Sequence, residues 1–118
     1  MIESSFRKLI EENSDIIKDI ERFELLQEYQ ISKLKAKLKL FDGSILWVRE
    51  IWIRGKLEIY SYYWLRPDET VITGWDNAPH HREIDTFPHH RHIKDKIYPS
   101  MEKDLKSVLK FIKDFLGV

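Results

Sequence analysis

The first quarter of the chain carries apolar residues at the three- and four-residue spacing of an amphipathic helix. The pattern runs from Phe6 to Leu26, and polar residues of the kind that cap helices interrupt it at positions 13–15. Segment 1–28 is therefore predicted to be helical. One bent helix and two consecutive helices fit the pattern equally well.

From Ile31 onward the pattern changes from helical spacing to strict alternation. In the first alternating stretch one face is apolar and the other consists of Lys33, Lys35, Lys37 and Lys39. Asp42-Gly43 follows as a hairpin signal, and further alternating stretches separated by turns continue to Trp75. Segment 31–75 is therefore predicted to be an antiparallel meander of four strands.

The hairpin loop at Asp42-Gly43 decides which charged residue of the next strand joins the more apolar face. A two-residue loop places Arg49 on that face, whereas a three-residue loop places Glu50 there. Because local rules tend to be broken at functional or strained positions, both residues are candidates for a catalytic site. The alternative is a residue near the sheet edge that reaches solvent.

The last part of the chain reads as a loop and then a helix. Residues 76–99 keep no sustained period and contain three of the four prolines, which predicts a long loop. Ser100 is the predicted N-cap of a helix over residues 100–117, which ends at Gly117. The 118 residues are thus expected to form one α+β domain, with a four-stranded antiparallel sheet flanked by N- and C-terminal helices.

Composition narrows the function only by exclusion. The 20 basic and 20 acidic residues cancel, so the net charge favours no class of partner. The absence of cysteine excludes disulfides and cysteine-ligated metals. The N-terminus has no signal-like apolar segment and no stretch approaches ~20 apolar residues, so we expect a cytoplasmic protein without membrane association.

All five histidines lie within a short part of the predicted loop, at His80, His81, His89, His90 and His92. Loops on a rigid scaffold often carry function, and histidine titrates near neutrality. The five are therefore candidates for general acid–base catalysis, with Asp76 or Asp85 holding one ring in a single tautomer. No cofactor is required by this interpretation.

Two alternatives to acid–base catalysis stay open for the histidines. In a metal site, His90 and His92 would point the same way from a strand, and Asp76 or His80 would complete the ligand set. The spacing matches no known zinc signature. In a structural role, the polar side chains would hydrogen-bond loop backbone that has no partner in the sheet.

The strands also combine cationic and aromatic residues in a pattern typical of nucleic-acid contact. Lysine can hold phosphate while aromatic rings stack on bases. The candidates for this contact are Lys33, Lys35, Lys37, Lys39, Tyr60, Tyr62 and Trp64. Alternatively, the lysines only solvate an exposed strand face and the aromatic residues pack under a helix.

Several blocks of the sequence resemble the TumE-like proteins, a family of small toxins of prokaryotic toxin–antitoxin modules. The likeness runs in order from about residue 35 to residue 116. Gly74 departs from it, because a bulkier or basic residue is expected there. The blocks are Asp42-Gly43-Ser44 with Leu46, Val48 and Glu50, Tyr60-Ser61-Tyr62, Trp75-Asp76-Asn77-Ala78-Pro79-His80-His81, Thr86-Phe87-Pro88-His89-His90-Arg91-His92, and Pro99-Ser100.

The resemblance implies growth inhibition as the biological output and an antitoxin protein as partner. Joined to the candidates above, it leads to the hypothesis that the protein cleaves RNA by metal-independent histidine chemistry. One of His80, His81, His89 or His90 would deprotonate a ribose 2′-hydroxyl. Another would protonate the leaving oxygen, while Arg49, Arg82 or Arg91 stabilises the phosphorane. The rival is a non-enzymatic module that binds nucleic acid or protein, and a metal-dependent hydrolase is third. A homodimer is also open.

Overall fold

The computed structural model describes residues 2–118, which form two helices and seven strands. All seven strands join one antiparallel sheet, in which their spatial order is their order along the chain. The predicted α+β class and the antiparallel meander are confirmed, but the prediction of four strands is wrong. The elements are α1 (Ile2–Glu12), β1 (Ile17–Glu28), β2 (Ile31–Leu40), β3 (Ile45–Ile53), β4 (Lys56–Leu65), β5 (Val71–Asp76), β6 (His90–Ile93), β7 (Lys96–Pro99) and α2 (Leu105–Leu116).

Segment 1–28 was predicted to be helical throughout, but its second half forms the first extra strand, β1. Helix α1 ends at Glu12, and β1 then pairs with β2 through two register shifts, one after Ile17 and one after Ile20. Each shift inserts a residue into β1, so side chains three apart return to the same face of the sheet. Ile17, Ile20 and Phe23 thereby lie opposite apolar residues of β2. This three-residue spacing imitates a helix in the sequence.

The other two extra strands lie inside segment 76–99, which was predicted to be a loop. Strands β6 and β7 have four residues each, too few for an alternating period to become visible in the sequence. Strand β6 pairs with β5, which brings His90, Arg91 and His92 into the sheet. The irregular part of the segment is therefore limited to residues 77–89 and the turn at residues 94–95.

Helix α2 begins five residues later than predicted. The carboxylate of Asp104 accepts a hydrogen bond from the backbone N–H of Ser107 at 2.8 Å and caps the helix. Gly117, with φ of 74°, ends it as expected. Ser100 is buried and donates its hydroxyl to the carbonyl of Glu102 at 2.9 Å, so it stabilises the preceding turn instead.

Both helices pack against the same face of the sheet and form the core with it. Phe6 of α1 contacts Phe23 of β1, while Phe111 and Phe115 of α2 contact the rings of Trp75 and Trp64, respectively. The opposite face, called the open face below, has neither helix packed on it in the described part of the chain. No helix among residues 2–118 is long and apolar enough to cross a membrane.

The register of the first predicted hairpin assigns Arg49 and Glu50 to opposite faces. Leu38 of β2 lies opposite Leu46 of β3, and the backbone N–H of Leu40 donates to the carbonyl of Ser44 at 2.9 Å. This is the three-residue loop alternative, which places Glu50 on the buried face. Arg49 therefore belongs to the open face.

Candidate functional site

Strand register brings the lysines and the histidine segment onto one face of the sheet. Residues paired directly across neighbouring strands project to the same side, so each chain of pairs is a row on the surface. Two such rows cross strands β2 to β6 on the open face. The first row is Lys35, Arg49, Ser61, Asp76 and His90, and the second is Lys37, Trp47, Tyr63, Gly74 and His92.

At the β6 end of these rows, four side chains form a cluster that we call the histidine site: Asp76, His81, His90 and His92. The ring centroids of His90 and His92 are 4.8 Å apart. His81 comes from the loop over residues 77–89, and its ring lies 5.1 Å from that of His90 and 6.3 Å from that of His92. Three of the five histidines that were candidates for catalysis therefore lie together at this site.

The carboxylate of Asp76 organises the histidine site. Its Oδ1 atom lies 2.8 Å from Nε2 of His90 and accepts the backbone N–H of Ala78 at 3.0 Å. Its Oδ2 atom lies 2.9 Å from Nε2 of His92. Because a carboxylate only accepts, each histidine presents an N–H at this position.

His90 is held rigidly below the surface. Its Nδ1 atom lies 2.9 Å from the carbonyl oxygen of Pro88 and its Nε2 atom faces Asp76, so each ring nitrogen has an oxygen atom within hydrogen-bonding distance. Only 3% of its side chain is exposed, against 27% for His92 and 32% for His81. His90 is thus enclosed beside Asp76, and solvent reaches His92 and His81 more readily.

His92 and His81 each keep one ring nitrogen available. Since the Nε2–H of His92 donates to Asp76, the lone pair of a neutral ring lies on Nδ1. The Nδ1 atom of His81 lies 3.3 Å from Glu83. Within residues 2–118 no hydrogen bond ends on Nδ1 of His92 or on Nε2 of His81. The site therefore offers two accessible nitrogens capable of proton transfer.

Tyr63 borders the histidine site, and Gly74 creates the space that its ring occupies. A Cβ atom at Gly74 would lie 2.3 Å from Cε1 of Tyr63, so no other residue fits unless the ring moves. The ring stacks on His92 with a centroid distance of 6.2 Å. Burial and the neighbouring Asp76 carboxylate raise the pKa of Tyr63, so its hydroxyl stays protonated. The glycine that departs from the family pattern thus has a packing reason.

The positive charge of the open face is partly offset along β1. Lys37 forms an ion pair with Glu21 at 3.6 Å, and Glu24 lies opposite Lys35 in the register. Arg49 is exposed on β3, next to Ser61 of the first row. Among the residues that the structure describes, Lys35 and Arg49 form no ion pair. Both cations are therefore available to an anion.

Several predicted site residues lie elsewhere. Tyr60, Tyr62 and Trp64 are at most 2% exposed and face the helices, so they form no stacking surface beside the lysines. The sequence placed them on one face of a strand, but only the register shows that it is the buried face. His80 lies exposed in the loop, outside the histidine site.

His89 lies outside the histidine site, beside Tyr60. Desolvation, followed by the charges of Lys103 and His90, lowers the pKa of His89. Its neutral Nδ1 atom can therefore accept the hydroxyl of Tyr60, whose pKa is raised by burial, at 2.8 Å. The pair ties the loop to the buried face of β4.

Glu50 lies on the buried face as a satisfied carboxyl. Tyr62 donates its hydroxyl to Oε2 at 2.6 Å, and the indole N–H of Trp52 donates to Oε1 at 3.0 Å. Desolvation nevertheless raises its pKa. Two further arginines make ring contacts of their own: Arg91 stacks on Phe111 of α2, and Arg82 stacks on Phe87 of the loop.

The histidine site also has the composition of a metal site. One ligand atom each from Asp76, His90 and His92 lie within 4.8 Å of one another. The hydrogen bond from Nδ1 of His90 to a backbone carbonyl is the support that metal-binding histidines usually have. His81, at 5.1 Å between ring centroids from His90, is close enough to be considered as a fourth ligand.

Fold and site together define a small α+β protein with a histidine–aspartate cluster on the open face of a single antiparallel sheet. A family model described as Toxin TumE matches residues 6–116, so the chain belongs to this toxin family. The resemblance seen in the motifs is confirmed and extends to the N-terminal segment, where no motif was recognised. Membership implies an antitoxin partner. No match was found among curated proteins or among solved structures.

Trp47, Ser61 and Tyr63 are open-face residues that the sequence analysis did not select. They alternate with buried residues along β3 and β4, so their common face was visible, but its direction was not. The available signal was the hairpin at Asp42-Gly43. Its three-residue loop would have placed Trp47 beside Lys37.

Proposed function

We propose that this member of the toxin family acts on RNA, by metal-independent cleavage at the histidine site. The observation that carries the proposal is the pairing of His92 with Asp76 at 2.9 Å, beside an accessible His81 and at the end of rows that begin with Lys35 and Lys37. Cations that hold phosphate and a histidine pair that moves protons thus share one face.

In this mechanism the Nδ1 atom of His92 removes the proton of a ribose 2′-hydroxyl. The 2′-oxygen attacks the adjacent phosphorus, and the bond to the 5′-oxygen of the next nucleotide breaks. His81, protonated on Nε2, donates its proton to that leaving oxygen. The products are a 2′,3′-cyclic phosphate and a free 5′-hydroxyl. His92 has gained one proton from the substrate and His81 has lost one to the product, so the number of protons balances.

Arg49 supplies the charge that the transition state needs. It lies in the first row, two strand spacings or about 10 Å from Asp76, a span that a phosphodiester and an extended guanidinium can share. A guanidinium binds phosphate oxygens through two parallel hydrogen bonds, which favours the doubly charged phosphorane. Arg49 is itself a member of the first row, whereas Arg91 stacks on Phe111 of α2 and Arg82 on Phe87 of the loop.

A second candidate is metal-dependent hydrolysis, supported by the convergence of Asp76, His90 and His92. A metal such as Zn²⁺ would replace the protons on both Nε2 atoms and activate a water molecule. In the metal-independent mechanism the Nε2 atoms of His90 and His92 carry protons, whereas in the metal-dependent one they would bind the ion. A chelator would therefore stop only the second mechanism.

Cleavage of RNA by protein treated with EDTA tests the proposal. We expect activity to survive, to follow a bell-shaped pH profile and to leave a 2′,3′-cyclic phosphate end. His92→Ala and His81→Ala should each lower the rate by about 10²–10⁴-fold, whereas the control His80→Ala should not. Loss of activity with EDTA, restored by one metal per chain, would favour the metal mechanism.

Absence of cleavage on any RNA would favour the non-enzymatic alternative, in which the open face only binds nucleic acid or the antitoxin. In that case the histidine variants would melt early without any activity to lose. The proposed site of action is the cytoplasm, where RNA targets are found. Sedimentation of the purified protein would decide between a monomer and a homodimer.

A further inference from the structure

A depression in the open face lies directly beside the histidine site. It has a volume of about 400 Å³ and is lined by Lys35, Trp47, Arg49, Ser61, Tyr63 and Leu65. Its apolar surface comes from two partly exposed rings and one leucine, and its rim carries Lys35 and Arg49, neither of which forms an ion pair within residues 2–118. Such a combination of flat rings and positive charge suits a group that is aromatic and attached to phosphate.

We infer that this depression is a nucleobase subsite, which binds an unpaired base of single-stranded RNA through stacking on Trp47. The inference takes RNA as the substrate from the proposed function. It adds an orientation of the RNA strand on the open face. The base would lie over the second row while its phosphate extends toward the first row and Asp76.

The contacts of Trp47 support this assignment. The ammonium groups of Lys35 and Lys37 lie 5.6 and 5.7 Å from the centroid of its ring. An ammonium group over an indole is attracted by the negative face of the ring. A stacked base would take the place of these ammonium groups, and the lysines would then be free to move to the phosphates on either side.

Tyr63 connects the subsite to the chemistry. Its ring belongs to the wall of the depression and also stacks on His92 at 6.2 Å between centroids. A base held against Trp47 is therefore one ring away from the proposed general base. Single-stranded RNA fits this geometry better than a duplex, because a paired base keeps its faces inside the stack.

Binding of a non-cleavable strand tests the subsite separately from cleavage. The probes are a 2′-O-methyl oligouridine and the same strand with abasic units, which carry equal numbers of phosphates. We expect the abasic strand to bind roughly 5- to 150-fold more weakly per stacked base. Trp47→Leu should remove this preference, whereas Trp47→Phe should retain most of it. Tyr29→Leu, in an exposed turn of the chain, is the matched control.

The outcomes distinguish the subsite from the proposed function. Equal binding of both strands by the wild-type protein would overturn the subsite and leave phosphate binding and cleavage standing. Binding of neither strand would overturn both. The comparison of strands on the wild-type protein holds even if Trp47→Leu fails to fold.

Discussion

The Nε2 atom of His92 lies 2.9 Å from Oδ2 of Asp76, which fixes the ring with its proton toward the carboxylate. Asp76→Asn would present an amide that accepts through only one atom, while two histidine N–H groups need acceptors. We expect the cleavage rate to fall by about 10²–10⁴-fold and the melting temperature to drop as well. Asp85→Asn, exposed in the loop, is the control. Full activity in Asp76→Asn would contradict the orienting role.

Added imidazole should distinguish the accessible histidines from the buried one. His92→Ala leaves a partly exposed space in which imidazole can replace the lost base, so part of the rate should return. His90→Ala should not be rescued, because its ring is enclosed, and it should lower the melting temperature instead. Single-turnover cleavage and thermal melting of both variants provide the measurement. Rescue of the His90 variant alone would reverse the assigned roles.

The buried Glu50 predicts a pH dependence of stability. Burial raises its pKa above the ordinary value near 4.5, so the folded state keeps a proton that the unfolded state releases. The free energy of unfolding should therefore fall as the pH rises from about 4.5 through the folded pKa. Glu50→Gln has no charge to desolvate and should gain stability relative to wild type over that window. Urea denaturation at several pH values measures this, with the exposed Glu58→Gln as control.

The salt dependence of RNA binding should report on Lys35 and Arg49. Each phosphate contact to single strands contributes about 0.7 to the slope of log affinity against log salt. Lys35→Gln combined with Arg49→Gln should therefore reduce the slope by about 1.4. Lys37→Gln should change it less, because this lysine is paired with Glu21. An unchanged slope in the double variant would exclude Lys35 and Arg49 as phosphate contacts.

As a control for that measurement, Lys106→Gln alters an exposed lysine on α2, which packs on the opposite face of the sheet. It should leave the slope as it is. A similar loss in this variant would indicate that binding follows total charge instead of the open face.

Gly74→Ala tests the space that Tyr63 needs. The new methyl group would lie 2.3 Å from Cε1 of Tyr63, so the ring must leave its position against His92. Crowding of this kind typically costs about 1–3 kcal/mol of stability, and base binding should weaken too. Adding Tyr63→Leu should recover stability, because the clash is removed, so the two changes would not be additive. Purely additive losses in denaturation would contradict the proposed contact.

The sequence by itself determined the α+β class, the hairpin at Asp42-Gly43, the end of the last helix at Gly117 and the family. These depend on local chemistry: turn residues, alternation over long strands and specific motifs. The prediction from the sequence was wrong for β1, because two bulges gave this strand the residue spacing of a helix. It also failed for β6 and β7, since four residues are too few to show a period.

Only the tertiary structure decided which residues share the site. A strand pattern defines two faces but not which one the helices cover, so Tyr62 and Tyr63 could not be told apart by alternation alone. Register across five strands then aligned Lys35 with Arg49 and Asp76 with His90. These contacts join segments far apart in the chain, and hydrogen bonding between strands sets them. The hairpin at Asp42-Gly43 is a local signal for the alignment of β2 with β3, but no such signal encodes the alignment of β5 with β6.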